Sequence, residues 1–207
     1  RRMVRKSGEP VIRQAAYAAM KLLGQQFVMG ETIEAAIRRA NRDKDELASF
    51  DMLGEAARTA EDAERYKRAY ADAIAALGRH AKPGDPHVNH GISIKLSALH
   101  PRYEYLQPRR RAEELLPVVV TLARAAREAN VPLMIDAEES DRLEPHLDIF
   151  AGLIDVGIAD GWPGLGIVVQ AYQKRAAAVI EWVGALARAR GVKVALRLVK
   201  GAYWDSE

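Results

Sequence analysis

Four polar side chains interrupt runs that are otherwise aliphatic, and they are the first candidates for chemistry in this sequence. Lys95 lies in "GISIKLSA", Asp136 in "VPLMIDAEE", Gln170 in "GLGIVVQAYQ" and Arg197 in "VKVALRLVKGA". Because side chains alternate between the two faces of a strand, each polar group lies opposite the aliphatic face of its own run. Buried charges are costly unless they are paired. The pattern therefore predicts either a charged site or a structural ring of ion pairs, in which Lys95 meets Asp136 and Arg197 meets Glu55.

The runs that carry these residues alternate with helical stretches, and a further run, "LASFDMLGE" from Leu47 to Glu55, precedes them. Alternating strands and helices are typical of an α/β fold with a parallel sheet. No glycine-rich phosphate-binding turn follows a strand, which favours a (βα)8 TIM-like barrel over a doubly wound sheet. A complete barrel needs ~250 residues, so we expect about the first five strands of one. Barrel active sites lie at the carboxyl ends of strands, where Glu55 would join the four polar residues.

Helices are expected at residues 10–24 and 32–42, before the first strand. A third helix begins after Thr59, a good N-cap residue, and a fourth covers 110–129 with a bend at Pro117. This order predicts an N-terminal helical arm, residues 1–46, followed by the incomplete barrel, residues 47–207.

The composition is that of an ordinary globular protein, with 49% hydrophobic and 29% charged residues among 207. The net charge of +3 gives no argument for nucleic acid binding, although the chain opens with the basic arm "RRMVRK". Cysteine is absent, which excludes disulfides and thiolate chemistry. The longest uncharged stretch, Gly161 to Gln173, is shorter than the ~20 residues of a membrane helix.

Three other functions stay open on the residues alone. Lys95 and Lys200 near strand ends could form a Schiff base with a carbonyl substrate. His80, His87 and His90 lie close together in sequence, but a metal site would need further ligands at fixed distances. The basic arm and an open barrel edge could instead serve a binding or assembly module.

Four longer strings resemble a known family: "GISIKLSALHPRYE", "IDAEESDRLE", "VVQAYQKR" and "LRLVKGAYWDSE". They are similar to the proline dehydrogenase domain of the bacterial bifunctional proline-utilisation flavoproteins, and the likeness extends over essentially the whole chain. The resemblance implies a distorted (βα)8 barrel that holds FAD at the carboxyl ends of its strands. It also implies oxidation of L-proline to Δ1-pyrroline-5-carboxylate by hydride transfer to the flavin N5 atom, with the electrons passed to membrane quinone.

The resemblance also implies a role for individual residues. Lys95 would meet the proline carboxylate, Arg197 would approach flavin N5, Gln170 would hydrogen-bond the isoalloxazine ring, and Glu55 would pair with an arginine that gates the pocket. Asp136 would both border the cofactor and belong to the catalytic set, and Tyr203 would flank the substrate. The remaining cofactor-lining residues would be Ala137, Val168, Val199, Lys200, Gly201, Ala202, Tyr203 and Trp204.

The same resemblance implies a fused pyrroline-5-carboxylate dehydrogenase domain in the full-length protein and a cytoplasmic location with peripheral contact at the inner membrane. Nucleic acid binding is not expected of this segment. The chain begins with Arg1 and ends at Glu207, just past the fifth strand, so we expect a piece of a longer protein. Alone, it would bind FAD poorly and oxidise little proline, since the family's final helix carries further substrate-binding residues.

Overall fold

A computed structural model describes residues 12–17, 19–20, 24, 28–43, 45–53 and 56–202. The chain divides into two compact units, residues 1–46 and 47–207. In the first unit, residues 12–17, 19–20 and 24 are helical and helix α1 spans Ile33–Ala40. Thr32 caps α1, since its Oγ1 accepts a hydrogen bond from the Ala35 amide at 3.2 Å.

The second unit contains a five-stranded parallel sheet whose strands follow one another in chain order. The strands are β1 (Ser49–Phe50), β2 (Gly91–Ile94), β3 (Leu133–Ile135), β4 (Leu165–Gln170) and β5 (Ala195–Val199). Each crossover between parallel neighbours contains a helical segment, which is the arrangement of a barrel wall. The prediction of a partial (βα)8 TIM-like barrel is confirmed.

Two strands are shorter than the sequence predicted. Among residues 47–53, the described part of the run that ends at Glu55, only the two-residue strand β1 forms, and the run that begins at Gly91 leaves the sheet after Ile94. Lys95 is the N-cap of a short helix, so its assignment to a strand face was wrong.

The helices of the second unit begin where the sequence supplies capping residues. Thr59 and Asp62 form a reciprocal capping box, with both hydrogen bonds at 3.1 Å. The helices are α2 (Ala60–Gly78), α3 (Leu96–Leu99), α4 (Pro108–Arg110), α5 (Leu116–Glu128), α6 (Leu143–Asp155) and α7 (Ala176–Arg190), with 3-10 turns at Pro86–Val88 and Ser140–Arg142.

A π-helical turn, Arg111–Leu115, joins α4 to α5. Pro117 lies in the first turn of α5 and has no amide to donate, so the regular ladder is interrupted there. The distortion expected at Pro117 is thus found as a wide turn immediately before it. The turn places the buried Arg111 where it donates to Asp148 Oδ2 at 2.7 Å and to the carbonyls of Glu104 and Tyr105.

The aliphatic faces of β2, β3 and β4 are buried, with Ile94, Leu133 and Ile167 each less than 1% exposed. The corresponding face of β5 differs, since Leu196 is 36% and Leu198 is 55% exposed. This face of β5 is therefore less covered than the corresponding faces of β2, β3 and β4.

On the opposite face, Gly166 of β4 makes room for a neighbouring side chain. A Cβ atom at Gly166 would lie 2.9 Å from Met134 Cε and 3.0 Å from Ala195 Cβ. Glycine at this position lets the Met134 thioether fill the concave side of the sheet.

Candidate active site

A cavity of about 330 Å³ opens at the carboxyl ends of the strands. Its lining residues are Asp51, Lys95, Asp136, Ala137, Val168, Gln170, Val199, Gly201 and Ala202. The cavity is bounded by the residue that follows each of β1, β2 and β3 and by the last residue of β4. Parallel strands end at one rim, so the fold brings these separate stretches of sequence together.

A cavity of about 740 Å³ lies at the amino ends of the strands, between α7 and β5. Its walls include the aliphatic Ile180, Val183 and Leu196, and its charged residues, Asp85 and Lys193, form no ion pair with each other. Size alone would favour this cavity, but a reacting substrate needs convergent polar groups. We therefore assign the candidate active site to the smaller cavity at the carboxyl ends.

The Lys95 ammonium lies between two carboxylates at this rim. Lys95 Nζ is 2.6 Å from Asp51 Oδ2 and 3.3 Å from Asp136 Oδ2. Asp51 directly follows β1 and Asp136 directly follows β3, so Lys95 after β2 meets one neighbour on either side. The Lys95 side chain is 19% exposed, and this partial burial strengthens both attractions relative to water.

Arg197 reaches the same cluster from the other edge of the sheet. Arg197 Nη2 is 3.2 Å from Asp136 Oδ1, and Nη1 donates to Ser49 Oγ at 3.3 Å. Since Ser49 belongs to β1 and Arg197 to β5, these side chains face the concave side of a curved sheet. Arg197 Nε is buried and has no hydrogen-bond partner among the described residues. We call Asp51, Lys95, Asp136 and Arg197 the rim cluster.

Gln170 ends β4 and is held at both ends of its amide. Its Nε2 donates to the Glu138 carbonyl at 2.7 Å, and its Oε1 accepts from the Ala202 amide at 3.2 Å. Gly201, with φ +102°, brings this backbone close: a Cβ there would lie 2.9 Å from Gln170 Oε1 and 2.7 Å from Tyr172 Cε1. A side chain at position 201 would therefore displace the Gln170 amide.

A belt of hydrogen bonds joins residues at or beyond the carboxyl ends of all five strands. The Ala57 amide donates to the Ser97 carbonyl at 2.9 Å, and the Ser97 amide donates to Glu138 Oε1 at 3.0 Å. The Glu138 carbonyl continues the belt to Gln170, whose amide oxygen links it to Ala202. The belt keeps the strand exits in fixed relative positions behind the rim cluster.

Glu138 and Arg142 form a second charged group, which we call the back pair. Glu138 is 8% exposed, and Arg142 Nη1 donates to its Oε2 at 3.0 Å. Burial raises the pKa of Glu138, against the opposing effects of the hydrogen bonds from Ser97 and the charge of Arg142. Nearby, complete burial lowers the pKa of His146 to about 4, while a hydrogen bond with the Ile135 backbone opposes the shift.

The structure brings together the four polar residues singled out from the sequence, Lys95, Asp136, Gln170 and Arg197. Ala137, Val168, Val199, Gly201 and Ala202 line the same cavity. Lys200 is exposed, and its carbonyl accepts from the Tyr172 amide at 3.2 Å. Glu55, Tyr203 and Trp204 lie outside the described residues, so their expected roles stay predictions.

Sequence reasoning missed Asp51 and Glu138. Asp51 could have been found, because it shares its strand parity with Glu55 and follows β1 as Asp136 follows β3. Glu138 gave no comparable signal, because its side-chain oxygen binds a backbone amide that any residue except proline would supply at position 97.

The histidines considered as metal ligands are placed differently. His90 Nδ1 accepts a hydrogen bond from the Ala48 amide at 2.9 Å, which fits a structural role beside β1. Within the described ranges, no group of three or more histidine and acidic residues could hold a metal ion. Over the same ranges, no helix is both long and apolar enough to cross a membrane.

Comparison with known proteins agrees with this geometry. The family model described as proline dehydrogenase matches residues 33–207. Over 208 residues the chain is 49% identical to the bifunctional protein PutA of Escherichia coli, covering 100% of this chain and 16% of that protein. It is 31% identical to proline dehydrogenase 1 of Bacillus subtilis, with 90% of this chain and 54% of that protein covered.

The fold is also similar to that of a solved structure. A crystal structure of a variant of proline utilization A from Bradyrhizobium japonicum matches with a TM-score of 0.82 and 50% identity, covering 100% of this chain and 21% of that one. The chain thus spans a minor part of the bifunctional relatives that it matches. The family match covers the barrel strands and the rim they carry, and this chain belongs to the proline dehydrogenase family.

Proposed function

We propose that this chain supplies part of the active site of an FAD-dependent proline dehydrogenase. The reaction is oxidation of L-proline to Δ1-pyrroline-5-carboxylate, with the electrons passed on to quinone. The observation that carries the proposal is the rim cluster, in which two cations share the Asp136 carboxylate beside a cavity of about 330 Å³. Family membership supports the same reaction.

Lys95 is proposed to bind the proline carboxylate. Its ammonium lies at the cavity wall, and Asp51 and Asp136 keep it charged and in place. An ammonium is a compact point charge, which suits a small carboxylate that must bind and leave in every turnover. The rim cluster holds two cationic and two anionic side chains, so an arriving carboxylate meets no net repulsion.

The residues around the cavity fit a flavin ring. Arg197 Nε is buried without a partner among the described residues, so it can donate to an acceptor on a bound molecule. The Gln170 amide has two N–H groups and donates one of them to Glu138, which leaves the second for a ligand. Gly201 allows the backbone to approach closely. We propose that Arg197, Gln170 and Gly201 hold the cofactor, with Ala137, Val168, Val199 and Ala202 completing the wall.

Bound FAD would supply the acceptor for the electron pair that leaves proline. Arg197 would place a positive charge where added electron density needs stabilising, and Asp136 would hold the guanidinium in that position. The belt from Ala57 to Ala202 would keep the substrate-binding lysine and the cofactor-binding glutamine at a constant separation.

Lys95 is a poor candidate for Schiff-base chemistry, which requires a neutral amine. Its ammonium lies within 3.3 Å of two carboxylates, and both favour the charged form. The quinone acceptor, the fused pyrroline-5-carboxylate dehydrogenase domain and the location at the cytoplasmic side of the inner membrane are part of the proposal and are supported by family membership.

An absorbance experiment tests the proposed function. The full-length protein that carries this chain is saturated with FAD, freed of unbound FAD and mixed anaerobically with L-proline. Loss of the oxidised flavin band is expected with L-proline and not with L-alanine, which has the carboxylate and amine but no ring. A protein that retains no flavin, or a flavin band that L-proline leaves unchanged, would contradict the proposal.

A further inference from the structure

The backbone amide of Lys95 lies where the sheet can no longer supply a partner. On β2, amides that point toward β1 recur every second residue, and the Gly91 amide donates to the Ala48 carbonyl at 2.9 Å. Continuing that spacing, the Lys95 amide would need the Met52 carbonyl. Strand β1 ends at Phe50, so the ladder stops before it reaches this position.

The Tyr70 hydroxyl occupies the place of the missing strand. The Lys95 amide donates to Tyr70 Oη at 3.1 Å. Tyr70 belongs to α2, the helix that connects β1 to β2, and its side chain is fully buried. It lies on the face of α2 that also buries Ala73, Ile74 and Leu77, so packing fixes the ring as well as the hydroxyl.

We propose that Tyr70 is a positioning residue for Lys95: its buried hydroxyl replaces the strand partner that the Lys95 amide lacks and thereby fixes where the ammonium meets the substrate carboxylate. The inference rests on the proposed role of Lys95 in binding proline. Lys95 is thus held at both ends, by Tyr70 at the backbone and by Asp51 and Asp136 at Nζ.

Substitution Y70F in the full-length holoenzyme tests this role, because it removes the acceptor and keeps the ring. We expect KM for L-proline to rise about 10-fold while kcat stays within about 3-fold, since Lys95 binds a group that does not react. We also expect the Lys95 amide to exchange with solvent deuterium at least about 10-fold faster, because an unpaired amide opens more readily. The exchange measurement needs neither substrate nor flavin.

Tyr103 offers a matched control. It is 3% exposed, and its hydroxyl lies 3.5 Å from the Arg142 carbonyl, away from Lys95. Y103F removes a buried hydroxyl and should lower thermal stability to a similar extent as Y70F, with KM and the exchange of the Lys95 amide unchanged. A purely structural role for Tyr70 would instead give equal effects in the two variants.

Three results would overturn the inference: unchanged KM in Y70F, an equal rise of KM in Y103F, or exchange of the Lys95 amide that Y70F does not accelerate. If Y70F does not fold, amide exchange in the wild-type protein tests the inference instead. Its Lys95 amide should then be protected as strongly as the Ile94 amide, and rapid exchange would rule out the hydrogen bond to Tyr70. If the wild-type protein does not oxidise proline, the proposed function is wrong. The exchange data would still test the hydrogen bond between the Lys95 amide and the Tyr70 hydroxyl.

Discussion

The rim cluster and the back pair are both charged groups at the carboxyl ends of the strands, yet they differ in what surrounds them. The rim cluster borders a cavity, and Arg197 Nε has no partner among the described residues. In the back pair, both side-chain oxygens of Glu138 accept hydrogen bonds, and the Arg142 guanidinium lies 5.5 Å from the centre of the Tyr103 ring. Spare bonding capacity beside a cavity indicates a ligand site, whereas a saturated pair indicates a structural role.

Removing the central cation of the rim cluster should have the largest effect. In K95M, the rim cluster would keep both carboxylates but only one cation, Arg197, so the substrate carboxylate would meet net repulsion. We expect kcat/KM for L-proline to fall about 1,000-fold, equivalent to ~4 kcal/mol. Steady-state kinetics on flavin-loaded protein measure this. K67M is the control, because Lys67 pairs with Glu64 on the outer surface of α2; equal kinetics in the two variants would contradict the assignment.

Behind the rim, pH should act on stability through His146. Its pKa is 6.5 in the unfolded chain and about 4 when buried, so the unfolded chain binds the proton more readily. The contribution of neutral, buried His146 to the free energy of unfolding is therefore complete above pH 6.5. It is lost, by about 3 kcal/mol, as the pH falls to about 4. Urea unfolding at several pH values measures this slope.

H146N keeps a side-chain donor for the Ile135 backbone but cannot titrate, so it should flatten the slope between pH 4 and pH 6.5. K95M should retain the slope, which would separate the two regions. An identical slope in H146N and the wild-type protein would mean that another group is responsible.

The back pair itself should tolerate loss of charge better than loss of its acceptor. E138A leaves the Ser97 amide and Arg142 without their partner and should lower the free energy of unfolding by about 2 kcal/mol. E138Q keeps an oxygen for the Ser97 amide and should cost less than about 1 kcal/mol. Urea unfolding compares them, with E139Q as the control, since Glu139 pairs with Arg142 at 3.1 Å but lies outside the belt. If E138Q were stable but no longer oxidised proline, the back pair would have a role in function as well as in structure, and its contrast with the rim cluster would be wrong.

The smallest effect is expected at an ion pair in neither region. Arg109 and Glu113 are 2.9 Å apart on the helix surface, with side chains 85% and 59% exposed. R109A should change neither thermal stability nor kcat/KM measurably, because solvent screens exposed pairs. A clear loss in either assay would mean that charge at the carboxyl ends matters beyond the rim cluster.

Strand order and the concave placement of the polar residues could be predicted from the sequence, because alternation along a strand decides which face each residue occupies. Lys95, Asp136 and Arg197 meet at the rim as predicted, although Lys95 and Asp136 lie just past the ends of their strands and only Arg197 lies within one. The length of β1 could not be predicted from the sequence. The pattern of Leu47 to Glu55 continues past Phe50, whereas the backbone leaves the hydrogen-bonded ladder there. Alternation reports side-chain burial and carries no information on where the neighbouring strand ends.

The contacts that position the site were harder to foresee. Glu138 and Tyr70 act through the backbone amides of Ser97 and Lys95, and an amide has the same chemistry at almost every residue. Only the fold brings residue 70 to residue 95 and residue 138 to residue 97. Likewise, Pro117 signals an interrupted helix, but the sequence does not say that the interruption takes the form of a π turn at Arg111–Leu115.

The close approach of Gly166 to Met134 should restrict which residue types these two positions, far apart in the chain, can hold together. A substitution at either position alone should destabilise the fold. A larger residue at 166 would collide with the Met134 thioether, and a smaller residue at 134 would leave a cavity in the barrel interior. We expect positions 134 and 166 to covary across the family, so that a larger side chain at one position accompanies a smaller side chain at the other. Homologues with alanine or serine at 166 should then carry a shorter side chain at 134.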